Sequence, residues 1–115
     1  MGRSALWDRF RFWDARNINS TTLESRTVEE RAQAFSALGD PIRLQILDAL
    51  AVGARCVCDL QEIVEAAPNL LSYHLKVLRD AGLIEGTKRG RWVDYALTPN
   101  VAELVASALP VGLRR

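Results

Sequence analysis

The sequence predicts a mostly α-helical chain with a small β-hairpin, arranged as a winged helix-turn-helix. Three observations predict it. Helical apolar spacing recurs in successive segments between residues 28 and 81, one glycine-punctuated stretch around residue 90 alternates apolar and polar residues, and a last amphipathic segment follows. At 115 residues the chain is long enough for one modest core and too short for two. The organisation expected is an N-terminal arm over residues 1–27, one domain over 28–109 and a short C-terminal tail over 110–115.

Met1 to about Arg16 is aromatic and charged, and "NINSTT" after it is a polar linker with no core pattern. "VEERAQAFSAL" carries Val28, Ala32, Phe35 and Leu38 at helical spacing. In "GDPIRLQILDAL" Gly39 ends that helix, Asp40 is a good N-cap, and Pro41 takes the first helical position, where its missing N–H costs nothing. Ile42, Leu44, Ile46, Leu47 and Leu50 make this second helix broadly apolar, hence central. A short helix follows the cysteines with Leu60, Ile63 and Val64 inward. "PNLLSYHLKVLRDAG" is a fourth helix, opened by Pro68 and closed by Gly82, with Leu71, Leu75 and Leu78 as its buried stripe. "LIEGTKRGRWVDYALT" alternates around Gly86 and Gly90 and predicts a hairpin with a basic tip. Val101, Leu104, Val105 and Ala108 share one side of the last helix.

Composition narrows the function. No apolar run approaches the roughly 20 residues of a membrane span, and the charged N-terminus lacks the apolar stretch of a secretory signal. A cytoplasmic, reducing location is expected, with Cys56 and Cys58 both free. The net charge is only +1, yet it is unevenly spread. Residues 29–66 hold three basic against seven acidic side chains, whereas residues 69–95 hold five basic against three acidic. Local positive charge of this kind attracts phosphate even in a near-neutral protein.

On the fourth helix Asn69, Ser72, Tyr73, Lys76 and Arg79 lie off the apolar stripe and share one face. In a winged helix this second helix of the helix-turn-helix enters the major groove, so these side chains are the expected base and phosphate contacts on double-stranded operator DNA. Lys88, Arg89 and Arg91 at the hairpin tip suit phosphate or minor-groove contact. Any one such helix is usually just a solvated face; helix and tip together, in this order, favour DNA binding.

"LGDPIRLQILDAL", "CVCDL", "LLSYHLKVLRDAGLI" and "KRGRWVDYAL" resemble the corresponding stretches of the ArsR/SmtB metalloregulatory repressors, in order and over residues 28–109. The resemblance implies a homodimeric winged-helix repressor, not an enzyme, whose first and last helices form the dimer interface and whose operator affinity falls when an inducing ion binds. "CVCDL" is similar to the arsenic and antimony site of the arsenic-sensing branch, which carries Cys56 and Cys58 over as ligands of As(III) or Sb(III). His74 matches a family position inside the recognition helix and is read as a packed or phosphate-facing member of the DNA-binding set rather than a metal ligand.

The chemistry agrees with that assignment. Trivalent arsenic and antimony are soft centres that prefer thiolates. Two free cysteines are more often small buried hydrophobes, but residues i and i+2 project to nearly opposite sides of a regular helix, so both cannot be core positions. Nor can both grip one ion while fully helical. The pair is therefore expected to straddle the helix start, near the positive dipole end where thiol pKa values are lowered, on a helix packed directly under the recognition helix.

Departures from the family matter too. The position three residues after the pair, a third cysteine in some arsenic sensors, is Gln61, and residues 1–27 supply none. Two thiolates suit a trivalent organoarsenical, which already carries an As–C bond. Residues 99–113 offer only Glu103 as a possible zinc ligand, which disfavours a tetrahedral zinc site. The usual proline before recognition is displaced to Pro68, which shifts base contacts there. Two alternatives stay open: a thiol-redox-responsive repressor of the same fold, and a small thiol oxidoreductase, which would need a C-x-x-C spacing that is absent. Trp7, Phe10 and Trp13 are assigned to an extra dimer-packing or disordered arm, ahead of a membrane-surface role.

Overall fold

The computed structural model describes residues 26–113, so the aromatic arm lies outside the described residues. Helix α1 (Val28–Leu38) begins with a reciprocal cap: the Thr27 hydroxyl accepts from the Glu30 N–H at 3.1 Å, and the Glu30 carboxylate accepts from the Thr27 N–H at 2.9 Å. Gly39 closes it, and Asp40 starts α2 (Pro41–Val52) by accepting from the N–H groups of Ile42 at 2.8 Å and Arg43 at 3.2 Å. A two-residue strand, β1 (Arg55–Cys56), leads into α3 (Val57–Ile63). Helix α4 (Pro68–Asp80) ends in a Schellman motif: Leu83 N–H donates to Leu78 O and Gly82 N–H to Arg79 O, with Gly82 at φ 81°. Strands β2 (Ile84–Arg89) and β3 (Trp92–Leu97) follow, then α5 (Val101–Ala106) and a 3₁₀ turn, Val111–Leu113.

The sheet is antiparallel in the order β1-β3-β2. Arg89 pairs with Trp92, leaving Gly90 and Arg91 as the loop; only Gly90 has a positive φ, 64°, as a II′ turn requires. Gly86 lies opposite Tyr95, where a Cβ would come within 3.1 Å of the tyrosine ring, so this strand position admits only glycine without rearrangement. Ile46, Leu60, Val64, Leu71, Leu78 and Leu83 form the innermost core and join α2, α3, α4 and the start of the wing.

The expected order of elements is observed, with corrections of detail. β1 adds a third strand to the hairpin; two residues are too few to show alternation in sequence. On α1 the inward residues are Glu30, Ala34 and Ala37, while Val28 and Phe35 are exposed. The helix lies close to its neighbours through alanines, and the larger residues fall outside that contact. Leu44 and Ile63 are likewise exposed. Among the described residues no helix is long and apolar enough to cross a membrane.

Desolvation acts to raise the Asp40 carboxyl, but the backbone N–H groups of Arg43 and Ile42 outweigh it and hold the group below its ordinary range. Its capping contribution is therefore complete above the ordinary carboxylate pKa and is lost as pH falls through the folded value. Asp40→Ala is expected to lower the melting temperature at neutral pH, with parent and variant converging in acid; thermal unfolding followed by circular dichroism across pH checks this.

Candidate nucleic-acid interface and thiol pair

Helix α4 is seated by Leu71, Leu75 and Leu78, and this leaves Asn69, Ser72, Tyr73, Lys76 and Arg79 exposed on the outer side. Lys76 donates to Asp80 at 2.7 Å, an exposed one-turn pair of the kind that contributes little stability. His74 is set apart from its neighbours. It is only 6% exposed, and its Nδ1 lies 2.8 Å from an Arg43 nitrogen. Arginine only donates, so Nδ1 is the acceptor of this bond. The DNA-facing reading of His74 is corrected on this geometry: position 74 falls three residues after Leu71, inside the buried stripe. Its ring meets Tyr73 edge-on, with centroids 5.1 Å apart.

The wing projects its tip beyond the core, with Lys88, Arg89 and Arg91 all exposed. Arg89 is already engaged: its Nε and Nη2 donate to the two oxygens of Asp94 at 2.7 and 3.1 Å. This hydrogen-bonded pairing raises the Arg89 pKa and lowers that of Asp94. Among the described residues Lys88 and Arg91 have no ion-pair partner.

Cys56 and Cys58 straddle the start of α3. Cys56 is the last residue of β1, opposite Asp94, and also the N-cap of α3, its Sγ accepting from the Asp59 N–H at 3.4 Å. Cys58 lies exposed in the first turn, and both thiols are free. Desolvation raises the Cys58 pKa, reinforced by the neighbouring Cys56 and by Asp59. The lowering expected from the helix dipole is thus reversed, first by desolvation and then by the neighbouring Cys56 and Asp59. Among the described residues no three His, Cys, Asp or Glu side chains converge as a metal site. The expected direct packing of α3 under α4 is also revised: α3 lies mainly against β1, β3 and α2, and meets α4 through the shared core of Leu60, Val64, Leu71 and Leu75.

Sequence reasoning missed Arg43 and Asp94. Arg43 Nε also donates to Ala37 O at 2.8 Å and Nη2 to Ser36 O at 3.2 Å, so one side chain joins α1, α2 and α4. A lone cation in a broadly apolar helix was the available signal. For Asp94 the signal was the register that a Gly90–Arg91 loop dictates.

A solvent-facing polar helix seated by a helix-turn-helix core, with a basic β-wing beside it, defines a winged helix-turn-helix DNA-binding regulator. Residues 40–86 match the family described as bacterial regulatory protein, arsR family. The chain is 45% identical over 75 residues to the arsenical resistance operon repressor of Bacillus subtilis (strain 168), covering 64% of this chain and 71% of that protein. It is 34% identical over 85 residues to the transcriptional repressor SmtB homolog of Synechocystis sp. (strain PCC 6803), covering 74% of this chain and 64% of the relative. The solution structure of a homodimeric winged helix-turn-helix DNA-binding domain from Mycobacterium bovis superposes with a TM-score of 0.63 at 28% identity, covering 83% of this chain and 82% of that one. The chain belongs to the ArsR family and is a transcriptional repressor, not an enzyme.

Because Arg43 holds two helix-end carbonyls and the His74 ring at once, Arg43→Met is expected to cost about 2 kcal/mol. Urea denaturation at neutral pH measures this, and a variant as stable as the parent would show that the three bonds are dispensable.

Proposed function

We propose that this repressor binds operator DNA as a homodimer through α4 and the wing, and releases it when trivalent arsenic or antimony bonds to Cys56 and Cys58. The observation that carries this reading is the double duty of Cys56, which ends β1 and caps α3 with the same sulfur the ion would take. Residues 28–109 then serve as one DNA-binding and sensor domain, and a second copy covers the exposed Val28 and Phe35 of α1.

The expected chemistry balances without external reagents. Arsenous acid, As(OH)₃, condenses with two neutral thiols to give a dithiolate As–OH complex, each thiol proton leaving with a hydroxyl as water. A raised thiol pKa is no obstacle to that exchange, whereas a divalent cation must displace both protons. A thiol-redox sensor needs a thiolate at neutral pH, and the Cys58 shift runs the other way. A trivalent organoarsenical, with two exchangeable positions, matches the two thiols without a third donor.

On DNA, Asn69, Ser72 and Tyr73 are suited to base edges, and Lys76, Arg79, Lys88, Arg89 and Arg91 to phosphates. Support comes from the exposure of all of them. The ion must draw Cys56 and Cys58 together, which removes the α3 cap and distorts a seven-residue helix. Such a distortion gives the two-state element that coupling between sites requires.

Lys76→Ala and Lys88→Ala are each expected to weaken operator binding and flatten its log–log salt slope by about one unit. Ser72→Ala or Tyr73→Ala should instead reduce the preference for operator over random DNA. Gel shifts in which all four behave like the parent would exclude this surface.

Cys56→Ser and Cys58→Ser test the sensor. Serine is itself a good N-cap, so the first substitution preserves the helix start. Both variants are expected to bind operator normally but to be retained on it at arsenite or antimonite concentrations that release the parent; normal release from both would show that the pair is not the site.

A further inference from the structure

Asp94 occupies the row of the sheet where the thiol strand and the wing meet. On one side it is opposite Cys56 of β1, on the other opposite Thr87 of β2. Arg89, two residues beyond Thr87 and at the end of the wing strand, folds back along the sheet to place both arms of its guanidinium on Asp94. The pair is lopsided in its exposure: the Arg89 side chain is 66% exposed and that of Asp94 27%. Arginine is free to swing away; the carboxylate is fixed to the middle strand.

We propose that Asp94 is a positioning residue that competes with DNA phosphate for Arg89, and that it makes the grip of the wing on DNA depend on the state of Cys56. A guanidinium fork committed to a carboxylate is not available to a phosphate, since both acceptors take the same pair of N–H groups. While latched, Arg89 is drawn back from the tip. Released, it adds one phosphate contact to those of Lys88 and Arg91.

The link to Cys56 follows from how little ties β1 to the sheet. Only two register positions do so, Arg55 with Tyr95 and Cys56 with Asp94. Drawing Cys56 toward Cys58 therefore acts on the backbone of Asp94 first. With β1 withdrawn, β2 is the one strand left paired with β3, and the Arg89–Asp94 pair becomes part of what closes the wing. Exchanging that pair for a phosphate is then less favourable than in the intact three-stranded sheet. This coupling rests on Cys56 being an inducer ligand; the competition for Arg89 does not.

The experiment compares the parent, Asp94→Asn, Arg89→Ala and the double variant on labelled operator across a salt series, with and without saturating arsenite. Arsenite binding to the free proteins is followed by the fluorescence of Trp92. Asp94→Asn is expected to bind operator about three- to tenfold tighter, with a salt slope steeper by about one unit. The gain should fall at least threefold in the Arg89→Ala background. Tighter binding is a gain that a misfolded variant cannot imitate. An Asp94→Asn protein that binds no tighter, or gains equally without Arg89, overturns the competition. For the coupling, Asp94→Asn should still bind arsenite when free, yet the ratio of operator affinities without and with arsenite should shrink. An unchanged ratio, with Cys56→Ser unresponsive to arsenite, overturns the coupling alone. Normal release from Cys56→Ser overturns the sensor reading and the coupling with it, leaving the DNA competition to stand on its own result.

Discussion

Where the Arg43 guanidinium points determines how the reading helix is held. It is the one cation on α2, the helix that runs through the core, and it cannot be left in an apolar setting without acceptors. The end of α1 supplies two carbonyls and α4 supplies the His74 ring. Leucines alone fix depth well and rotation poorly, because dispersion contacts are non-directional. The hydrogen bond to His74 adds direction. With position 74 turned inward, the faces carrying Ser72, Tyr73, Lys76 and Arg79 are turned out.

The wing inherits its placement from the same helix. Leu78 and Leu83 are fully buried and joined by the backbone bond that closes the α4 cap, so β2 leaves the helix at a fixed angle. Thr98 returns the far end of β3 to this point through bonds to Leu83 O at 3.0 Å and Gly82 O at 2.8 Å. Helix and wing are tied at their junction by these bonds, and the weakest element lies elsewhere. It is α3, seven residues long, too short to be stable by itself, with a thiol as its cap. A sulfur is a weak acceptor, so a ligand that takes it gives up little.

This division explains what the sequence revealed. Asp40–Pro41, the Leu71–Leu75–Leu78 stripe and Gly82 were legible because each is a local rule: a cap, a period, a left-handed residue. The straddling position of Cys56 and Cys58 was legible for the same reason, from the opposed directions of i and i+2. The inward face of α1 was not, since Val28 and Phe35 have the better hydrophobicity while Ala34 and Ala37 have the size that close helix contact allows. Buried Glu30 is explained only by the Thr27 cap and the neighbouring Arg26, whose guanidinium also reaches Leu104 O and Ser107. Strand β1, the His74–Arg43 bond and the Arg89–Asp94 pair depend on residues brought together from 5 to 40 positions apart, and no local pattern carries them.

A nearly neutral DNA-binding chain also has a thermodynamic logic. Coupling between two sites is typically about 1–3 kcal/mol, or roughly 5- to 150-fold in affinity. An inducer with that leverage releases a protein only if its operator affinity is modest to begin with. Two of the five cations assigned to phosphate contact, Lys76 and Arg89, already face a carboxylate of their own chain. Each intramolecular pair must be exchanged when DNA binds, so the net gain per contact is smaller than for a free cation. Restrained electrostatic affinity thus brings repression within the range that the proposed two-thiol site, acting through one short helix and one short strand, would be able to reverse.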